Sequence, residues 1–362
     1  MERVKSLDFF RGLMLIIITV DHILTPEKSP LWQPLGYASA ASGFVFLAGI
    51  TTAIAYSRHV RQPGTLWRKC WQRSLVIYLS HVSLLALYYG WQAIELLMSP
   101  SPGSAQAMAA QALFSLALIH KPSLMDILPM YVIFMMAAPL LLVLINKGRH
   151  TAVLLASLLC WLLIQFINIP GPAWFSQYDL RIGAFNPLAW QFLFVAGLVS
   201  GTVFMRKPLN PPPSSTLAVL AVPVVLLLLD RHGIVDILPA YLLPLTERYN
   251  LGLIRLINFA LLATLIYLSI LYLKLNVGNR WVEFLGKHSL QVFTYSILLA
   301  EVSAKVLPYI QHYSGTPGVT LYLAASLISL SIPAFLHSRY RIKVKISRSR
   351  KKQSEVVTEK YA

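Results

Sequence analysis

Four ionisable side chains crowd the first apolar stretch of the chain: Asp8 and Arg11 at one end, Asp21 and His22 at the other. The run Leu13 to Val20 between the two pairs carries no charge. An ionisable group inside a membrane helix costs at least a few kcal/mol, so it is a functional candidate by default. A histidine beside a carboxylate is what general-base chemistry near neutral pH requires. On a helix, Asp8, Arg11, Ile18 and His22 fall in one narrow stripe. Arg11 and His22 lie about 20° apart around the axis and about 16 Å apart along it. One helix face then carries a cation at one entrance and an imidazole deep toward the other, like the wall of a passage. Plainer roles fit the same residues. Asp8 can cap the helix and pair with Arg11 at i+3, Arg11 can snorkel to headgroups, and Asp21-His22 can mark an interface.

Other positions invite chemistry less sharply. Trp67-Arg68-Lys69-Cys70-Trp71-Gln72-Arg73 mixes cations with indoles. It suits a phosphorylated donor, although a cytoplasmic loop of a membrane protein explains the charges equally well. His81, further on, reads as a helix–helix hydrogen-bonding residue. Gly286-Lys287-His288-Ser289 opens a late helix, with Tyr295 and Glu301 deeper in it. Asn186-Pro-Leu-Ala-Trp190-Gln191 reads as a capped helix start with proline in the first turn. Cys70, in a basic loop, and Cys160, in an apolar run, define no disulfide framework.

The elements that must position these groups are membrane helices. Of the 362 residues, 56% are hydrophobic and only 12% charged, with a mean hydropathy of +0.62. Soluble domains run near 45–50% apolar and about 25% charged, so the excess must face lipid. Apolar runs near 9–25, 36–57, 74–97, 126–146, 151–169, 186–205, 214–230, 251–274, 287–307 and 318–337 predict about ten transmembrane helices in an all-α polytopic fold. The first run is broken by Arg11, Asp21 and His22 and has no small-residue cleavage site after it, so it does not read as a signal peptide.

The net charge of +17 does not read as nucleic-acid binding, because it is confined to short loops and the tail and no basic-aromatic module or metal spacing accompanies it. With both termini cytoplasmic, all but seven of the 31 basic residues fall on the inner side, the exceptions being Lys28, Lys121, Arg181, Arg231, Arg248, Arg255 and Lys305. Basic residues favour cytoplasmic loops, so the even count and the orientation support each other. Residues 1–337 form the transmembrane domain, and 338–362 form a basic cytoplasmic tail suited to anionic lipid. The stretch from Asn210 is a short linker, the segment 98–125 suits a short interfacial helix, and Ser39 to Gly49 is rich in small residues suited to close helix packing. Asp126-Ile-Leu-Pro-Met-Tyr131 is echoed by Asp236-Ile-Leu-Pro-Ala-Tyr241, too little to define a repeat.

Taken together, five motifs resemble the OpgC-type membrane proteins in order over roughly residues 5–337. They are Leu7-Asp-Phe-Phe-Arg-Gly-Leu followed by Asp21-His22; Gly43-Phe-Val-Phe-Leu-Ala-Gly49; Asp126-Ile-Leu-Pro-Met-Tyr131; Phe185-Asn-Pro-Leu-Ala-Trp-Gln-Phe-Leu-Phe194; and Phe284-Leu-Gly-Lys-His-Ser-Leu-Gln-Val-Phe293. Those proteins are similar to the acyltransferase 3 superfamily, ten-helix inner-membrane proteins that move acyl groups from a cytoplasmic donor, usually acyl-CoA, to extracytoplasmic sugars. The superfamily mark of Arg or Lys, ten residues, then His in the first helix is met by Arg11 and His22.

The resemblance implies a catalytic His22 and a donor-side Arg11; Asp21, Asp8 or another carboxylate is expected to orient the ring or stabilise the imidazolium. The expected donor-binding residues are Arg11, Arg68, Lys69, Arg73, His288 and Ser289, and the expected acceptor contacts are Asp126, Asn186, Trp190 and Gln191. A further mark, a basic pair between helices two and three, is met most nearly by Arg68 and Arg73, at a wider spacing than usual. The family's acyl group is succinyl and its acceptor a periplasmic glucan. The implied partners are the lipid bilayer, acyl-CoA and a glycan, with no metal. A transporter or flippase would also place Asp, Arg and His inside the membrane.

Overall fold

The computed structural model describes residues 5–24, 34–100, 103–167, 174–204, 212–274 and 277–340. The tail beyond 340, the start of the linker at Asn210, and Arg3, Lys28, Arg206 and Lys207 lie outside the described residues. In chain order the helices are α1 (Lys5–Ile23), α2 (Ala40–Tyr56), α3 (Pro63–Met98), α4 (Ser104–Leu116), α5 (Ile127–Leu144), α6 (His150–Phe166), α7 (Trp174–Gln177), α8 (Pro187–Phe204), α9 (Thr216–Arg231), α10 (Leu253–Tyr272), α11 (Arg280–Lys287) and α12 (Ser289–Ser329). A last helix, α13, covers 331–340. No strand occurs among the described residues, so the fold is all-α.

Five helical stretches are long and apolar enough to cross a membrane: Ala40–His59, Pro63–Met98, Ile127–Phe166, Leu253–Tyr272 and Ser289–Tyr340. Leu75, Val76 and Leu79 on α3 and Leu155, Leu159 and Leu163 on α6 are exposed, as side chains facing lipid would be. The chain is a membrane protein. Two of the five stretches contain a break. Gly148, at φ 83°, separates α5 from α6, and Gly315, at φ 57° and ψ −155°, interrupts α12. Only glycine adopts such angles without steric cost, so each break sits where an otherwise continuous apolar helix has to turn.

The segment 98–125 does hold a helix, α4. The main departure is at α3, expected from 74 but beginning at Pro63, a residue suited to the first helical turn. Its 36 residues reach about 54 Å, well beyond a hydrocarbon core of about 30 Å. Arg68, Lys69, Cys70 and Arg73 therefore ride on a helix and not in a loop, and Cys70 is fully buried. The two Asp-Ile-Leu-Pro copies also fold differently: the first leads into α5, whereas the second leaves Asp236 exposed ahead of a short tight helix at Ala240–Thr246.

The chain forms two compact units. The first comprises residues 1–23 and 278–362, hence α1 and α11 to α13. Asn279 starts α11 by accepting the Trp281 and Val282 N–H groups at 3.0 and 3.2 Å. α11 then buries Val282, Leu285 and Gly286. A methyl on Gly12 would overlap the Val282 carbonyl oxygen, and one on Gly286 would overlap the Asp8 carbonyl oxygen. The backbones of α1 and α11 touch through these two glycines, a close approach that small residues allow.

Past Gly315 the chain doubles back. Tyr295 donates to Ser329 at 3.2 Å, Ser303 bonds Tyr322 at 2.9 Å, and Trp281 donates to Ser331 at 2.8 Å. These pairs run in antiparallel order, and His288 closes the open end against His337.

The second unit, residues 24–277, is built on α2 packed against α8. Methyl groups on Gly49 or Gly197 would strike the facing backbone, so the small residues of α2 do serve close packing. Further bonds set the register of α2, α3 and α5: Tyr131 donates to the Phe44 carbonyl at 2.8 Å, and Ser74 to the Val132 carbonyl at 3.0 Å. His81, fully buried, donates to the Ser115 carbonyl at 3.4 Å and ties α3 to α4.

Candidate functional site

In the first unit the Gly12–Gly286 crossing sets the positions of the charged groups. It places the end of α11 and the start of α12 beside the first turns of α1. There Arg11 donates from Nη2 to the Ser289 hydroxyl, so two residues 278 positions apart are joined. Asp8 is buried at 8% exposure, Arg11 is half-buried, and Asp21 and His22 are half-buried in the last turn of α1. None of the four is exposed, and the expected stripe on α1 faces protein.

His288, next to Ser289, is buried, and its Nδ1 lies 2.8 Å from Nδ1 of His337. One of those nitrogens must carry the proton and the other accept it, so the pair shares a single proton along that contact. The Phe284 ring packs edge-on against His288 at 5.1 Å.

The second unit has two polar ends. Where α2 ends and α3 begins, Lys69 Nζ lies 2.9 Å from His59 Nε2, and Arg58 Nε donates to the same nitrogen at 3.2 Å. A nitrogen that accepts from two cations carries no proton, so His59 here is a neutral imidazole with its hydrogen on Nδ1. Arg58, Arg61, Arg68 and Lys69 pair with no carboxylate among the described residues. Positive charge is held close together at this end.

The opposite end, where α2, α5, α8 and α10 start, is held together by hydrogen bonds. Asn186 caps α8 through the Leu188 N–H at 3.0 Å and donates from Nδ2 to Asn250 at 2.8 Å. Trp190, fully buried, donates to the Arg248 and Tyr249 carbonyls at 3.1 and 3.2 Å. Gln191 exchanges two bonds with Ser157, at 2.7 and 2.8 Å. The polar groups of Asn186, Trp190 and Gln191 are thus directed into the protein's own fold.

Asp126 precedes α5 but does not cap it; its Oδ1 accepts the Ala184 N–H at 3.0 Å. Arg255, an outer cation by sequence, is buried and donates to the Tyr37 carbonyl at 2.6 Å and the Thr246 carbonyl at 3.1 and 3.2 Å. Burial, and then the neighbouring Asp230 that accepts its hydroxyl at 2.6 Å, push the Tyr37 phenol up to about 12. A cleft of about 450 Å³ opens there, lined among others by Tyr37, Asp230 and Asp236.

The sequence model of the OpgC protein family matches residues 3–342. The chain belongs to the OpgC family. The match covers the described part of both units, including every candidate residue named above. No curated protein and no solved structure matches the chain.

For an OpgC-family chain, the structure brings together Arg11 and Ser289 from the expected donor group, with His288 alongside. Arg68, Lys69 and Arg73 share the first turns of α3, with Arg68 fully on its exposed side. Sequence reasoning passed over Arg58, His59 and Arg61. Arg58 and Arg61, three residues apart, lie between α2 and α3, whereas Arg68 and Arg73 lie on α3 itself. The signal was the four-residue run Arg58-His-Val-Arg61. Lys121 and His337 also went unremarked as site residues; for Lys121 the signal was its place among the few basic residues on the outer side.

Proposed function

We propose that this protein is a ten-helix inner-membrane O-acyltransferase, with both termini cytoplasmic, that moves an acyl group, succinyl in the family pattern, from acyl-CoA to a periplasmic glycan. The observation that carries the reading is the family match over nearly the whole chain, in a chain whose first helix holds Arg11 and His22 on one face. Charge segregation in the second unit supports the orientation. The α2–α3 end is cationic, and Arg58, Arg61, Arg68 and Lys69 have no carboxylate partner among the described residues, while Asp126, Asp179, Asp230, Asp236 and Glu247 belong to the other end.

In this reading the donor arrives at the cationic end. In the second unit Arg58, Arg61, Arg68, Lys69 and Arg73 are the groups to neutralise its phosphates through charge-assisted hydrogen bonds; in the first, Arg11, held by Ser289, is the donor-side cation of α1. A sugar hydroxyl comes from the periplasm. His22 takes the hydroxyl proton as the oxygen attacks the thioester carbonyl carbon. The carbon–sulfur bond breaks, and the CoA thiolate leaves with the proton returned by the imidazolium. Asp21, or another carboxylate near the last turn of α1, stabilises the transient positive charge, whereas Asp8 lies about 21 Å away along the helix, beside Arg11. General-base assistance of this kind contributes roughly 10²–10⁴ in rate.

The test is reconstitution. Purified protein in lipid nanodiscs, given acyl-CoA and a linear glucan oligosaccharide, should release free CoA and add one acyl mass to the sugar. No thiol release and no mass change, with the same oligosaccharide moved across the bilayer of proteoliposomes, would make the chain a transporter and overturn the reading.

A further inference from the structure

Lys121 and Asp126 are each more than nine-tenths buried, at 7% and 6% exposure, yet they do not touch. No ion pair joins them within 4.0 Å. Among the described residues the Lys121 ammonium has no hydrogen-bond partner, and Asp126 accepts from the Ala184 N–H at Oδ1 and from its own backbone N–H. They are near enough to influence each other's ionisation. Burial pushes the lysine below its ordinary range and the aspartate above its own, and each partly offsets that effect in the other.

The surroundings are firmly built. The Lys121 N–H donates to the Arg181 carbonyl at 2.9 Å, and the Arg181 N–H returns to His120 Nδ1 at 2.8 Å. Gly183, at φ 91°, lies directly over both side chains. A methyl there would overlap Asp126 Oδ1 and come 2.7 Å from Lys121 Cδ.

Burying an ammonium and a carboxylate is costly, and the cost is recovered only by good pairing and further hydrogen bonds. Here the two charges lie together beneath Gly183 without completing the pair. The group that completes it must accept from the ammonium and donate to the carboxylate. A hydroxyl does both. A carboxylate ligand would be repelled by Asp126, and an ammonium ligand by Lys121. Neutral polyols, carbohydrates above all, present hydroxyls in this way.

We infer that Lys121, Asp126 and the Gly183 backbone form a hydroxyl-binding subsite for a neutral carbohydrate, with Lys121 and Asp126 bracketing one sugar hydroxyl. The inference rests on the acyltransferase reading only in taking the acceptor glycan as that carbohydrate.

The experiment compares wild type with Lys121→Met, Lys121→Arg and Asp126→Asn, using a linear glucan oligosaccharide as probe. Binding is read from tryptophan fluorescence, and the KM for oligosaccharide and for acyl-CoA from thiol release. One hydrogen bond to a charged group is worth roughly a ten- to hundredfold change in affinity. The oligosaccharide KM and dissociation constant should rise by that factor in Lys121→Met and in Asp126→Asn, and recover in part in Lys121→Arg, while the acyl-CoA KM stays within twofold. Unchanged oligosaccharide binding in folded Asp126→Asn and Lys121→Met overturns the subsite. Lys121→Arg and Asp126→Asn decide the matter if the methionine variant does not fold. If wild type transfers no acyl group, the functional reading fails, yet the binding comparison still decides the subsite.

Discussion

The Arg11 guanidinium is fastened to the Ser289 hydroxyl, so a cation in the second turn of α1 is positioned by the first residue of α12. The bond exists because Gly12 and Gly286 let α1 and α11 meet backbone to backbone just before that point. Sequence spacing alone put Arg11 on the same face as His22; the glycine crossing gives it a fixed place. In the proposed mechanism this arrangement is the donor-side entry to His22.

The crossing itself can be tested. Gly286→Ala would drive a methyl into the Asp8 carbonyl and Gly12→Ala one into the Val282 carbonyl. Overpacking of this sort costs about 1–3 kcal/mol. Each variant should melt several degrees lower in detergent, whereas Gly64→Ala, with nothing within 4 Å of its new methyl, should melt like wild type. Equal melting of all three would remove the crossing as the element that places Arg11.

Arg58 and Arg61 should matter for donor affinity more than Arg68. Replacing both with glutamine should raise the acyl-CoA KM by roughly tenfold per lost phosphate contact and flatten its dependence on ionic strength, with kcat little changed. Arg68→Gln should have the smaller effect. An acyl-CoA KM indifferent to Arg58 and Arg61 would move the donor phosphates elsewhere.

His120 gives a pH signature. Burial lowers its pKa from the ordinary 6.5, and its Nδ1 must stay bare to accept the Arg181 N–H. Below 6.5 the unfolded chain binds a proton that the folded state resists. Stability is therefore present above that pH and is lost as pH falls through the lower folded value. Thermal melting between about pH 7 and pH 5 should show this decline. His120→Asn, which keeps an acceptor but does not titrate, should show less of it; a steeper decline in the variant would contradict the assignment.

Much of the helical layout was legible in the sequence, because lipid-facing helices announce themselves by length and apolarity. Helices stand at each expected stretch, and Asn186 caps α8 as its position before proline suggested. The start of α3 was not legible, since hydropathy marks where a helix enters lipid and not where its hydrogen bonding begins. Trp190 and Gln191, expected as acceptor contacts, also bond to the 248–249 loop and to Ser157, partners visible only once the fold is formed. Lys121 was legible only as an exception to charge asymmetry. The meeting of Arg11 with Ser289 required two glycines at distant positions to coincide, which no local pattern in a single sequence reveals.

The most direct measurement is thiol release by His22→Ala. Purified in nanodiscs with acyl-CoA and glucan oligosaccharide, the variant should melt within a degree or two of wild type, bind acyl-CoA normally, and release free CoA at least about a hundredfold more slowly. Release at the wild-type rate, with the acyl group still appearing on the sugar, would contradict the assignment of His22 as the base and, with it, the catalytic reading of α1.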